Sequence, residues 1–303
     1  MHRRDFVKNS ALAGLTLGSV IKEKKESHQT FESTFNLKFA PHLGMFKNYA
    51  GDDPIAQLEF IADQGFTAFE DNEMRNRSVG LQQKIADCMA KHSMEMGVLV
   101  AHRIYWNEPN LTSGKQDYRD EFLSDITKSL EAAKRVRARW MTVVPGHVDL
   151  SKDEGYQTAN VVESLKQASS ILEPHGITMV LEPLNFRDHA GQFLQKIAQA
   201  YQICKAVDSP SCKILFDIYH QQIQEGNIIP NIDLAWDEIA YFQVGDNPGR
   251  KEPTTGEINY SNVFQHIKDR GFDGIIGMEH GNSVEGKEGE LKVINAYKSV
   301  NPA

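Results

Sequence analysis

The chain has 303 residues, 40% of them hydrophobic and 24% charged, enough to enclose one large core or two small ones. Its net charge of −8 lacks the basic excess of a nucleic-acid binder, so no nucleic-acid partner is expected. Three cysteines, Cys88, Cys204 and Cys212, show no CxxC or Cys/His cluster along the chain; buried free thiols are expected rather than a disulfide framework or a thiolate zinc site.

The chain opens with "MHRRDFVKNSALAGLTLGSVI", a twin arginine at Arg3–Arg4 followed by Phe6, Lys8 and an apolar stretch from Ala11 to Ile21. That stretch is too short for a stable membrane span. The pattern resembles a twin-arginine export signal, which implies export to the periplasm by the twin-arginine machinery; a non-functional signal would leave the protein in the cytoplasm. "KEKKESHQTFEST" then reads as a polar linker. The expected domain plan is a signal segment and linker over residues 1–35 and one catalytic domain over residues 36–303.

From Leu37 the chain alternates between short β-rich runs and longer amphipathic stretches. Strands are predicted near residues 37–43, 68–71, 96–102, 140–146, 178–185, 213–220, 240–246 and 274–281. Most are near-continuous apolar runs, as in parallel strands buried on both faces. Between them, "DEFLSDITKSLEAAKRV" places Phe122, Ile126, Leu130 and Ala133 on one helical face, and "GQFLQKIAQAYQICKAV" does the same with Phe193, Ile197, Tyr201 and Cys204. Glycine closes the helical patterns in "ADQGF", "EPHGI" and "KDRGF". Eight strand–helix units without a break predict an α/β fold, a single (β/α)8 TIM barrel; a doubly wound open sheet is the alternative.

In such a barrel, catalytic groups sit where strands end. Glu182 follows "TMVL", Asp217 follows "KILF", Gln243 follows "AYF" and Glu279 follows "GIIGM", at separations of 35, 26 and 36 residues. Each separation is about one strand plus one helix, so four strands aim four oxygen-bearing side chains at one point. Three carboxylates held together repel one another, and a divalent cation removes the conflict. Three carboxylates and an amide oxygen form a hard donor set suited to Mg²⁺ or Mn²⁺. In extended geometry Tyr219 shares Asp217's side of the strand. His220 lies just past the strand, where a loop turns it toward substrate oxygens; capping the next helix is its alternative role.

The segments "LEPLNFRDHAGQFL", "FDIYHQQIQEG", "QVGDNPGRKEPTTGEINY" and "GFDGIIGMEHG" resemble the hydroxypyruvate isomerase family, in the xylose-isomerase-like group of metal-dependent (β/α)8 barrels. The resemblance implies metal ligation by Glu182, Asp217, Gln243 and Glu279, with Glu182 and Glu279 as the acid/base pair. It implies isomerisation of hydroxypyruvate to tartronate semialdehyde through an enediolate. The substrate's carboxylate calls for a cation, Arg250 in "DNPGRKEP" or Arg187 in "LNFRD". Glu257 is expected to brace its loop, for example by pairing with an arginine. His42 and His102 are further candidates for substrate binding, with a satisfied barrel-mouth histidine as the alternative for each. The family's Glu-Tyr-Lys-Pro at the last strand is Glu279-His280-Gly281-Asn282 here. That departure keeps open an epimerase or isomerase of a neutral keto-sugar. A non-enzymatic carbohydrate-binding protein is a further reading, which has no use for a paired Glu182 and Glu279. The sequence leaves a homo-oligomer open.

Overall fold

The computed structural model describes residues 35–303. The expected signal segment, apart from Phe35, lies outside the described residues. The strands are β1 (Lys38–Ala40), β2 (Ala68–Phe69), β3 (Glu95–Met96), β4 (Leu99–Val100), β5 (Trp140–Val143), β6 (Thr178–Leu181), β7 (Cys212–Asp217), β8 (Ile239–Gln243) and β9 (Ile275–Gly277). The helices are α1 (Lys47–Ala50), α2 (Pro54–Asp63), α3 (Val79–Lys91), α4 (Gln116–Val136), α5 (Glu154–Leu172), α6 (Ile197–Val207), α7 (Ile218–Gln224), α8 (Ile228–Ala235), α9 (Tyr260–Asp269) and α10 (Gly286–Val300).

Seven strands pair in the order β1-β9-β8-β7-β6-β5-β4, and β2 pairs with β3. Every strand pairing is parallel. The ring closes through a parallel bridge between His42 and Glu70, beside β1 and β2. On the other side, Asp71 N–H donates to Val98 O and Val100 N–H donates to Asn72 O. β3 and β4 are thus two pieces of the predicted third strand, interrupted at Gly97–Val98. A side chain at Gly97 would strike the Tyr241 hydroxyl and Glu70 Cβ, so the barrel interior requires glycine there.

Local sequence explains the helices. Asp53 caps α2 with Pro54 at its first position, and Ser78 caps α3. Gly65, Gly176 and Gly271 all take positive φ where the sequence predicts helix ends. Phe122, Ile126, Leu130 and Ala133 of α4 are buried together. The second helical pattern begins later than predicted: α6 starts at Ile197, so Phe193 is buried ahead of the helix rather than on it.

Two apolar layers result. Helices cover the outward-facing strand residues. Inside the barrel, Ala40, Ala68, Val98, Trp140, Val180, Leu215, Tyr241 and Ile275 form a separate cluster, Val98 from the break between β3 and β4 and one residue from each of the other seven strands. Side chains alternate across a strand. Two residues beyond this layer the chain therefore presents His42, Glu70, Glu182, Asp217, Gln243 and Gly277 at the same mouth. The inner cluster is the floor on which the site stands.

Candidate functional site

Glu182, Asp217, Gln243 and Glu279 all stand at or just past strand ends on the barrel mouth, and ligand atoms of Glu182, Asp217 and His220 lie within 4.8 Å of one another. Asp217 and Gln243 are register partners across β7 and β8, and Gln243 is the partner of Gly277 on β9. Glu279 lies two residues past Gly277. Glu182, Asp217 and Gln243 are buried. Burial pushes the Glu182 carboxyl well above the usual carboxylate range, and the charges of Glu279 and Asp217 push it further. Asp217 is also raised by burial, against the opposing pull of Arg250.

Arg250 sits among these carboxylates. Its guanidinium donates to Glu279 Oε2 at 2.6 Å and to Asp217 Oδ2 at 3.1 Å, and its Nε donates to Glu279 O at 3.1 Å. The Tyr219 ring lies beneath it, 4.9 Å away. Burial disfavours the guanidinium's charge, but Glu279, Asp217 and Glu182 outweigh that and hold Arg250 above its ordinary range. Asp246 holds the loop carrying Arg250. Its buried carboxylate accepts backbone N–H groups from Asn247, Gly256 and Ile258, and its backbone N–H donates to Lys251 O. Glu257 braces this loop as expected, but through the side-chain amides of Asn247 and Gln222 rather than an arginine.

The placement of His220 differs from the predicted loop. The strand stops at Asp217 and α7 begins at once, because Asp217 Oδ1 accepts from the backbone N–H groups of Tyr219 and His220. Residues 218–220 are helical, so Tyr219 and Asp217 do not share an extended face. The first turn still delivers His220 to the site, with Nε2 3.5 Å from Asp217 Oδ2 and 3.7 Å from Glu182 Oε1. Burial, then Arg250, lowers its pKa to about 3, so the ring is neutral. Nδ1 accepts the Asn185 backbone N–H at 3.3 Å. The remaining nitrogen, Nε2, therefore carries the proton and faces the carboxylates as a donor.

Other predicted residues have other partners. His102 is buried; Nδ1 bonds Arg103 O at 2.8 Å and Nε2 accepts Val144 N–H at 3.3 Å. Its ring stands edge-on to Phe122. Both nitrogens are used by the backbone, so His102 is a barrel-wall residue rather than a substrate contact. His42 lies between Leu43 O, 2.8 Å from Nδ1, and His280 O, 3.2 Å from Nε2, which fastens the first strand's loop to the last. Arg187 is exposed, with its guanidinium over the Phe186 ring.

The structure adds residues that the sequence reading does not single out. Glu70 is buried; its Oε2 accepts the Tyr241 hydroxyl at 2.9 Å and its Oε1 accepts Gln243 Nε2 at 3.4 Å. Burial, then the Glu279 charge, raises its pKa well above the usual range. Gly277 makes room for it, since a Cβ there would collide with Glu70 Oε2. Asn72 donates to Glu279 Oε1 at 3.0 Å. An aromatic wall rises over His220: His189 is edge-on to it at 5.3 Å, and Trp106 stacks on His189 at 5.0 Å. The signal for Glu70 and Asn72 lies in "AFEDN", where alternation from Ala68 puts both on the inward side.

The donor set suits a hard divalent cation. Glu182, Asp217 and Glu279 bring carboxylates, while Gln243 Oε1 is buried and accepts no hydrogen bond from a described residue. Gln243 Nε2 is turned to Glu70, which leaves the oxygen for the site. A single guanidinium does not balance this many carboxylates.

A model of the xylose isomerase-like TIM barrel matches residues 58–297. The chain belongs to that family. Against the 2-oxo-tetronate isomerase of Cupriavidus necator, this family member is 32% identical over 160 residues, 53% of this chain and 62% of that protein. Against the hydroxypyruvate isomerase of Escherichia coli it is 30% identical over 161 residues, 53% of this chain and 62% of that protein. The chain thus spans less than two thirds of the length of these curated relatives. Among solved structures, an AP endonuclease of family 2 from Brucella melitensis superposes with a TM-score of 0.72 at 23% identity, covering 84% of this chain and 96% of that one. That likeness is one of fold.

Proposed function

We propose that this family member is a metal-dependent isomerase of a short 2-oxo acid, with hydroxypyruvate the leading substrate. One observation carries the reading. Three carboxylates and an amide oxygen without a partner among the described residues converge from β6, β7, β8 and β9 in a mostly buried mouth. The names of the curated relatives support the substrate class.

The reaction moves one carbon-bound proton. A base removes it from C3 of hydroxypyruvate, and the electrons form an enediolate across C2 and C3. An acid returns a proton at C2 while the C3 hydroxyl proton passes to O2, leaving an aldehyde at C3 and a hydroxyl at C2, which is tartronate semialdehyde. Glu182 and Glu279 are the proton carriers. They enter from different strands: Glu182 lies beside His220, and Glu279 lies between Asn72 and Arg250. Burial and the charges of Glu279 and Asp217 raise the Glu182 carboxyl, which favours its holding a proton. The Nε2–H of His220 is placed to donate to a substrate oxygen. Glu182, Asp217, Gln243 and Glu279 would hold the cation, which supplies electrophilic stabilisation of two vicinal oxygens as charge grows on them.

Arg250 has two tasks in this reading. It neutralises Asp217 and Glu279 when they have no other cation, and it offers a two-pronged partner to the substrate carboxylate when they do. An epimerase or isomerase of a neutral keto-sugar is the second reading. It is favoured by the engagement of Arg250 with protein carboxylates and by the aromatic wall of Trp106 and His189. Metal-reconstituted full-length protein, assayed on hydroxypyruvate and on a panel of keto-sugars, separates the two. Conversion restricted to the 2-oxo acid supports the first reading, and conversion restricted to neutral sugars supports the second.

Export through the twin-arginine route is part of the proposal and rests on Arg3 and Arg4. Replacing both with lysine should retain the protein in the cytoplasm; unchanged fractionation would refute it.

A further inference from the structure

A second group of metal-binding residue types lies in the outer helical layer, away from the barrel mouth. Cys88 and His92 are four residues apart, at the C-terminal end of α3 and its cap, so they share one helical face. Glu59 of the neighbouring helix α2 faces them. One ligand atom from each of the three lies within 4.8 Å of the others. Around a tetrahedral zinc ion such atoms stand about 3–4 Å apart, so small side-chain rotations close the gap. The sequence reading expects no Cys/His cluster and no thiolate zinc site. The packing of α2 on α3, which brings Glu59 to Cys88 and His92, is not carried by the local sequence pattern.

We propose that Glu59, Cys88 and His92 form a second cation site, selective for a borderline or soft divalent ion such as Zn²⁺. Sulfur, imidazole and carboxylate are zinc ligands, whereas Mg²⁺ and Mn²⁺ prefer oxygen. Three protein ligands leave the fourth position to water. Cys88 is only 6% exposed and both ring nitrogens of His92 are buried, which shields those two donors, while the half-exposed Glu59 carboxylate is the side from which an ion enters. Lys91 Nζ is 2.9 Å from Glu59 Oε1 and competes for that oxygen, leaving the second carboxylate oxygen for the ion. Bound there, the ion would tie α2 to α3. The site is independent of the barrel mouth, whose donors include no cysteine.

The test uses full-length protein stripped with chelator, supplied with excess Mg²⁺ and titrated with Cd²⁺ while ultraviolet thiolate-to-metal charge transfer is followed. Only a cysteine ligand gives that band, so binding at the barrel mouth is silent. A single-equivalent band in the native sequence, its loss in Cys88→Ser, and affinity lower by on the order of tenfold or more in His92→Gln are expected. The absence of the band, or its persistence in Cys88→Ser, would overturn the site. Should Cys88→Ser misfold, His92→Gln decides alone, because unchanged Cd²⁺ affinity there would also overturn it.

Discussion

Glu70 Oε1 accepts a hydrogen bond from Gln243 Nε2, 3.4 Å away, and this contact sets which end of the glutamine amide faces the carboxylates. Glu70 also accepts the Tyr241 hydroxyl. Glu70→Ala would free the Gln243 amide to turn and leave the Tyr241 hydroxyl proton without its acceptor in the barrel floor, the hydroxyl keeping only the Val98 N–H that it accepts. Mn²⁺ affinity measured by calorimetry should fall by about 10–100-fold, the usual scale for losing a group that orients a ligand. Stability should fall by about 1–3 kcal/mol. Unchanged Mn²⁺ affinity would show that Gln243 does not depend on Glu70.

The contact also shows where the sequence could be read and where it could not. Glu182, Asp217, Gln243 and Glu279 each follow an apolar run, so local pattern placed them at strand ends in phase. Glu70 has the same alternation, but its strand is only two residues long and offers no apolar run. Its burial depends on Gly277 across the barrel, a relation that local pattern does not carry. The sequence pattern puts His220 in a loop, whereas the structure puts it in the first turn of α7. Asp217 ends a strand and caps a helix with no residue between, so the expected loop has no length. The third strand broke at Gly97 for the same non-local reason, since Tyr241 and Glu70 occupy the space a side chain would need.

Glu182→Gln and Glu279→Gln should each lower kcat on the order of 10²-fold or more, because an amide keeps the shape but cannot act as a base. Steady-state kinetics on the metal-loaded variants checks this. Near-normal turnover in either would remove that residue from the proton path.

Arg250 distinguishes the substrate readings. If it holds a substrate carboxylate, Arg250→Ala should cost about 2–5 kcal/mol in transition-state binding of hydroxypyruvate. The loss should be much smaller for any neutral keto-sugar turned over. Arg250→Lys should already impair the enzyme, since a single ammonium cannot span Asp217 Oδ2, Glu279 Oε2 and a substrate. Equal losses on both substrate types would assign Arg250 to bracing the carboxylates alone.

His102 predicts a pH dependence of stability. Burial lowers its pKa to about 4 from an ordinary 6.5, so the unfolded chain takes up the proton first as pH falls. The contribution of the neutral ring is full above pH 6.5 and is lost progressively down to about pH 4, amounting at most to about 3 kcal/mol. Urea midpoints at pH 7.5 and pH 5 should therefore differ more in the native sequence than in His102→Gln. Equal differences would mean that His102 does not stay neutral in the fold.

The most direct test of the central claim is proton NMR of hydroxypyruvate in D₂O with full-length protein, first stripped of metal and then supplied with Mg²⁺ or Mn²⁺. Metal-dependent formation of tartronate semialdehyde, with Glu182→Gln and Glu279→Gln inactive under the same conditions, is the predicted result. Full conversion by protein shown to be metal-free, or by either glutamine variant, would contradict the account.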